Sequence, residues 1–350
     1  MDTKVEEKYM RRCLELARNG IGGAAPNPMV GAVIVANGRI IGEGYHAHCG
    51  EAHAEVNAVN AVRPEDRHLL KEATIYVSLE PCAHYGKTPP CADMIIREQI
   101  PRIVVGCQDS FDKVDGKGIR KLREAGREVV VGVLEEECRA LNKCFFTMQE
   151  KHRPFVTLKW AQSADGFIDR KRTKGEPVKL SSPRSLISVH KLRAEHMAIM
   201  VGRRTALLDN PTLNVRHWTG KNPVRVVLDR TLSLPSDLHL FDGSIRTLVF
   251  TEKECPQKPN VEYCSIDFSQ NVLPQVLEKL YQEQLQSLLV EGGSQLLQSF
   301  IDANLWDEIH VEHCPVKLGD GVPAPSVSLE KPYKEVLKWG RKYLIIYNFV

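Results

Sequence analysis

The 350-residue sequence predicts an α/β fold in two domains. Three observations carry this. The length exceeds what one hydrophobic core ordinarily serves. Apolar stripes at helical spacing alternate with short runs rich in Val, Ile, Thr and Tyr, which implies sheets covered by helices. A polar segment closed by proline, Lys151-His152-Arg153-Pro154, interrupts the alternation near the middle and reads as a linker. The domains are therefore expected at 1–150 and 155–350.

In the first half, Thr3 and Glu6 have capping-box spacing, and Val5, Tyr9, Cys13 and Leu16 make a helical stripe that Gly20 stops. Pro26-Asn27-Pro28 is a turn by local chemistry, with a ligand contact as the other role open to Asn27. Asn37-Gly38 joins the runs 30–35 and 39–45 as a hairpin. A short helix over 54–62, ended before Pro64, puts His53 and Glu55 at its first turn. A strand over 74–79 delivers Glu80-Pro81-Cys82. Cys91 then opens a helix over 92–98, where backbone N–H groups favour a thiolate. A strand at 103–106, a helix near 119–125, a strand at 129–133 and a helix from Glu135 complete the half.

Chemistry concentrates on His53-Ala54-Glu55, Pro81-Cys82 and Cys91, which match the zinc-deaminase pattern H-x-E…P-C…C. One imidazole and two thiolates leave the fourth tetrahedral position of zinc open for water. Glu55, two residues from His53, is placed to shuttle protons and not to ligate. The competing possibility is a closed structural site completed by Cys49, His46 or His84. Ten cysteines without a secretory apolar leader point to reduced thiols in the cytoplasm. No apolar run approaches the length of a membrane span, and a net charge of +3 argues against a nucleic-acid coat.

The second half reads as strands at 155–160, 198–201, 224–228, 247–250, 288–290, 309–312 and 343–349, with helices at 183–195, 272–284 and 294–303. It has no G-x-G-x-x-G, so a Rossmann dinucleotide site is not supported. Val290-Glu291-Gly292-Gly293-Ser294 runs from strand into helix, and its glycines serve either a phosphate or turn geometry alone. Gly202-Arg203-Arg204-Thr205 follows another strand; its arginines either grip phosphate or are solvated. Asp209-Asn210-Pro211 is turn chemistry.

Taken together, these motifs resemble the bifunctional riboflavin-biosynthesis deaminase/reductase family. Pro26-Asn27-Pro28-Met29-Val30-Gly31-Ala32, His53-Ala54-Glu55 and the stretch from Glu80 to Cys91 carry the resemblance in the first half. The spacing C-x8-C with an internal G-K-T-P-P differs from the C-x-x-C of cytidine and tRNA deaminases. Leu158-Lys159, Asp165-Gly166, Leu192-Arg193-Ala194, Asp209-Asn210-Pro211, Val227-Leu228-Asp229-Arg230 and Leu289-Val290-Glu291-Gly292-Gly293 carry it in the second. The rival reading is a tRNA-type zinc deaminase with an accessory C-terminal module.

The resemblance implies a cytidine-deaminase-like three-layer α/β/α domain, then a dihydrofolate-reductase-like α/β domain. The substrate implied is a pyrimidine ribose-phosphate, deaminated with one zinc per chain and then reduced with NADPH by a cytoplasmic homo-oligomer. His53, Cys82 and Cys91 would hold zinc and Glu55 would relay protons. Asn27 and His46 would contact the pyrimidine, with Lys87 and Thr88 near its phosphate. Arg193, Leu213, Arg216 and Glu291 would line the substrate side of the reductase. Lys159, Gln162, Lys179, Thr205, Gly292 and Gly293 would line the cofactor side, with Asp209 both there and in catalysis. Two positions depart from the family: Phe111 replaces an asparagine, and Lys179 stands where an aromatic is usual.

Overall fold

In the computed structural model, residues 3–85, 89–111, 114–328 and 330–348 are described. The chain forms two compact units, Met1–Lys151 and His152–Val350.

The first unit runs α1 (Thr3–Ala17), β1 (Gly31–Ala36), β2 (Arg39–Tyr45), α2 (Ala54–Asn60), β3 (Thr74–Leu79), α3 (Cys91–Arg97), β4 (Arg102–Cys107), α4 (Lys117–Glu124), β5 (Glu128–Val131), α5 (Glu135–Leu141) and α6 (Lys143–Lys151). Its sheet has the order β2-β1-β3-β4-β5, with β1 antiparallel to both neighbours and β3, β4 and β5 parallel. Ile34, Ile75 and Val77 face α2 and α3 on one side, while Val33, Tyr76 and Val104 face α1 and α5 on the other. Cover on both faces explains why β1 is apolar throughout and why β1 and β3 are buried at every residue. Gly44 lets α2 lie directly on β2: a Cβ there would stand 2.4 Å from the Ala58 nitrogen and 2.5 Å from the Ala54 carbonyl oxygen. That approach fixes the start of α2, and with it His53 and Glu55.

Two local expectations shift. Residues 64–72 form a 3-10 segment where the sequence suggested only a stop, and α6 continues through Lys151, the first residue of the expected linker.

The second unit runs β6 (Phe155–Gln162), β7 (Phe167–Asp169), α7 (Pro183–Ala194), β8 (Ala198–Val201), α8 (Arg203–Asp209), β9 (Val224–Leu228), β10 (Thr247–Thr251), β11 (Val261–Ser265), α9 (Val272–Gln282), β12 (Ser287–Glu291), α10 (Ser294–Asp302), β13 (Glu308–His313), β14 (Val322–Pro323), β15 (Tyr333–Lys338) and β16 (Arg341–Tyr347). Its main sheet has the order β11-β10-β9-β8-β12-β6-β13-β16-β15. All its pairings are parallel except β13 with β16 and β15 with β16. Strand β12 lies between β6 and β8, so the chain reverses its direction of progress there. Open α/β sheets hold ligands in the crevice beyond the carboxyl ends at such a point. Met200, Val226 and Val290 pack with α9 and α10 on one face, and Ile199, Val227 and Leu289 form a second core on the other.

Candidate active sites

His53 occupies the N-cap position of α2 in extended conformation, and Glu55 follows in the first turn, buried. Strand β3 ends three residues before Cys82, and Cys91 is the first residue of α3. The backbone N–H of Cys91 donates to the Cys82 sulfur at 3.3 Å, and that of Ala92 to the Cys82 carbonyl at 3.1 Å. His53 Nδ1 stands 3.5 Å from the Cys82 sulfur and 3.3 Å from that of Cys91. Tetrahedral zinc with ordinary Zn–N and Zn–S bonds separates its donors by about 3.5 Å, so the set fits that metal. Among the described residues, His53, Cys82 and Cys91 bring three metal-ligating atoms within 4.8 Å of one another; Cys49, His46 and His84 do not join them.

Hydrogen bonds from the Cys91 thiol, from His53 and from the Cys91 N–H bring the Cys82 thiol down to about 4. Burial, then the neighbouring Cys82, pushes the Glu55 carboxyl up to about 7, which suits proton transfer near neutrality. The His46 ring lies edge-on to that of His53, 5.2 Å between centroids. Its Nδ1 reaches the Ala52 carbonyl at 3.1 Å, and its Nε2 meets the Asn27 amide nitrogen at 3.1 Å. With the proton on Nδ1, Nε2 accepts from Asn27; burial lowers the pKa and keeps the ring neutral. Asn27 and His46 are thus brought together beside the metal ligands, while Lys87 and Thr88 lie outside the described residues.

One residue that the sequence placed in the motif without a role is Glu80. Its buried carboxylate accepts backbone N–H groups of Gly116 at 3.0 Å, Gly118 at 2.9 Å, Ile119 at 3.2 Å and Asp109 at 3.3 Å. It thereby fastens Asp109, Gly116 and the start of α4 to the segment that carries Cys82. The helix start approaches so closely that a Cβ on Gly118 would stand 1.9 Å from the Pro81 carbonyl oxygen. Gly118→Ala will therefore destabilise the first unit by about 1–3 kcal/mol, seen as a lower unfolding midpoint with zinc released in parallel. An unchanged melt would mean that the two segments part easily. Phe111, two residues after Asp109, has its ring edge-on to that of His84, 6.3 Å between centroids. An open cleft of about 620 Å³ beside His84 is lined also by Lys117, Arg120, Lys121 and Glu124.

In the second unit, Arg193 of α7 grips Glu291 at the end of β12 through two bonds, Nε–Oε1 at 3.1 Å and Nη2–Oε2 at 2.6 Å. Burial pushes the Glu291 carboxyl up, but Arg193, with Lys159 behind it, outweighs that and holds it below its usual range. Arg216 is exposed and donates to Thr212 Oγ1 and Asn214 Oδ1. Leu213 has its side chain in the apolar core with Ile199 and Leu289. Gly292 and Gly293 both have positive φ, and a Cβ on either would come within 3.1 Å of Thr205. Thr205 and Asp209 lie on α8, a helix the sequence reading missed. Gln162 accepts from the Trp160 indole at 2.8 Å, Lys159 lines a cleft of about 200 Å³ with Glu312 and Tyr343, and Lys179 is exposed.

A family model described as the cytidine and deoxycytidylate deaminase zinc-binding region matches residues 3–107, and one described as the RibD C-terminal domain matches residues 154–340. The riboflavin biosynthesis protein RibD of Aquifex aeolicus is 39% identical over 347 residues, 98% of this chain and 96% of the relative. That of Synechocystis is 41% identical over 92% of this chain and 87% of its own length. Among solved structures, a diaminohydroxyphosphoribosylaminopyrimidine deaminase/5-amino-6-(5-phosphoribosylamino)uracil reductase from Thermotoga maritima has a TM-score of 0.88 at 38% identity, with 99% of both chains covered.

Proposed function

The chain belongs to the RibD family of bifunctional riboflavin-biosynthesis deaminase/reductases, and from that premise we propose which of its residues carry each reaction. Residues 1–150 are the zinc-dependent deaminase and 155–350 the NADPH-dependent reductase. The substrate is 2,5-diamino-6-ribosylamino-4(3H)-pyrimidinone 5′-phosphate. Deamination replaces its ring 2-amino group with oxygen, and reduction turns the ribosyl group into ribityl. The observation that carries this reading is the cluster of His53, Cys82 and Cys91 with buried Glu55 beside it.

His53, Cys82 and Cys91 hold one zinc per chain through one imidazole and two thiolates. When bound, zinc supplies a Lewis acid that makes water nucleophilic near neutral pH. Glu55 takes a proton from the attacking water and returns it to the departing nitrogen, a transfer suited to a carboxyl near 7. Neutral His46 orients Asn27, whose amide oxygen then accepts from the pyrimidine. Lys87 and Thr88 meet the ribose phosphate, and Lys117 and Arg120 add positive charge to the cleft beside His84.

For the second reaction NADPH, when bound, supplies the hydride. Opening of the ribosylamine to an imine makes C1′ electrophilic. Lys159, Gln162, Lys179 and Thr205 line the cofactor, and Gly292 and Gly293 let backbone N–H groups approach its phosphates. Arg193 and Arg216 meet the substrate phosphate, with Leu213 and Glu291 beside them. Asp209 delivers a proton or orients the ribose. Arg203 or Arg204 favours NADPH by meeting its 2′-phosphate. The enzyme is a cytoplasmic homo-oligomer that needs neither nucleic acid nor membrane. A net charge of +3, and the absence among the described residues of any helix long and apolar enough to cross a bilayer, support that part.

Purified protein given the diamino-pyrimidinone phosphate will yield the deaminated compound alone. With NADPH added, the product will carry in addition the two hydrogens of reduction. No mass change at all would overturn the reading, and equal efficiency with NADH would remove Arg203 and Arg204 from cofactor recognition.

A further inference from the structure

Four cations, Arg170, Lys171, Arg172 and Lys174, follow β7 within five residues, and such side chains are ordinarily solvated. Arg170 and Lys174 are exposed, and Lys171 makes an exposed pair with Asp320. Arg172 alone of the four is turned inward, with its side chain only 10% exposed. Its guanidinium donates to Asp169 Oδ2 at 2.7 Å, to the Gly175 carbonyl at 2.9 Å, and to the Asp209 carboxylate in a close ion pair. The Leu208 carbonyl lies at the 3.5 Å limit of the same group. In return, Arg204 Nη2 donates to the Arg172 carbonyl at 3.1 Å. The loop is therefore laced to α8 near both ends of that helix.

This lacing matters because Asp209 is the last residue of α8 and is followed at once by Asn210 in left-handed conformation. The chain turns away there, so nothing in the helix itself fixes the carboxylate. A planar guanidinium has its donors in a fixed fork: Nε meets Asp169, Nη1 the Gly175 carbonyl and Nη2 one oxygen of Asp209, so the place of that oxygen is set in a way a lysine ammonium cannot match. Asp169 meets the Nε side of the same fork, an acceptor role that an asparagine oxygen would keep.

We propose that Arg172 is a positioning residue for the reduction, holding the Asp209 carboxylate in place. The proposal rests on the reading of Asp209 given above. Arg172 touches neither reacting carbon; it acts through Asp209. Misplacement of a reacting group by about 1 Å costs on the order of 10²-fold in rate, which sets the expected scale.

The test uses the full-length, zinc-loaded protein with NADPH and the deaminated substrate, and compares Arg172→Met, Arg172→Lys, Asp169→Asn, Asp209→Asn and the double variant Arg172→Met/Asp209→Asn. Arg172→Met should lower kcat for reduction by about 10- to 100-fold with little change in KM for NADPH. Arg172→Lys, which keeps the charge and loses the fork, should fall between. Asp169→Asn, which leaves the Arg172–Asp209 pair, should stay within about threefold of the parent, whereas a guanidinium that merely braces the loop would suffer equally from either change. The double variant should reduce no more slowly than Asp209→Asn alone, because the lost function is shared. Thermal melts and unchanged deamination check folding, and Arg172→Lys keeps the test alive if the methionine variant melts low. Full losses that multiply in the double variant, or wild-type kcat in Arg172→Met, overturn the proposal. Wild-type reduction by Asp209→Asn would instead remove Asp209 from the reaction and the proposal with it.

Discussion

Replacing Glu55 by glutamine will leave zinc in place and slow deamination about 10²–10⁴-fold. The amide has the size of the carboxylate, and Glu55 stands outside the metal-ligating group, so the donor set of His53, Cys82 and Cys91 is untouched. What disappears is the only function that group has in this reading: to accept a proton from water and return it to nitrogen. Its setting favours that task, since burial and the nearby Cys82 thiolate raise the carboxyl to about 7. An amide neither accepts nor releases a proton in this range. Metal content by elemental analysis and the rate of substrate loss without NADPH, measured on one preparation, give the answer. Near-parental deamination with full zinc would move proton transfer to another group, of which neighbouring His46 would be the first to examine.

The second large effect is separation of the two reactions by single substitutions. Cys82→Ser should bring zinc content to background and abolish deamination, because the sulfur it removes meets His53 at 3.5 Å and accepts the Cys91 N–H. A hydroxyl is a poor replacement for a thiolate ligand of zinc. Given already deaminated substrate, the same protein should reduce at the parental rate, since the proposed reductase residues all lie in the other compact unit. Asp209→Asn should do the reverse, with reduction down by about 10²-fold or more and zinc and deamination retained. Each unit has a hydrophobic core of its own, which is the physical basis for independence. Loss of both reactions in Asp209→Asn protein that melts normally would contradict two separate sites.

Features set by local chemistry were legible in the sequence. The cluster of His53, Cys82 and Cys91 was readable because one histidine and two cysteines at motif spacing sit at the starts of helices and just past the end of a strand. The doubly covered strands were readable too, β1 as a continuous apolar run and β3 as a run of β-formers. Features that depend on distant partners were not. Glu80 stood within a recognised motif, yet its four N–H donors come from 29 to 39 residues downstream. Helix α8 has only seven residues between Gly202 and Asn210, too short for apolar periodicity to show. Strand β15 lies at the sheet edge and is mostly exposed, so its sequence carries no clear alternation. Arg172 is indistinguishable from the cations beside it until folding brings Asp169 and Asp209 to it.

The insertion of β12 between β6 and β8 has a consequence for how the chain comes into being. Strands β6 and β8 are both made by residue 201, but the strand that joins them begins only at Ser287. During synthesis from the N-terminus, every segment of the first unit has emerged while the second still holds two unpaired strand edges facing an empty slot. Exposed edges of this kind invite pairing with other chains, and contacts of such long sequence separation form slowly. The nascent chain is thus most prone to misassociation while residues 202–286 are being added, with its first unit already able to fold.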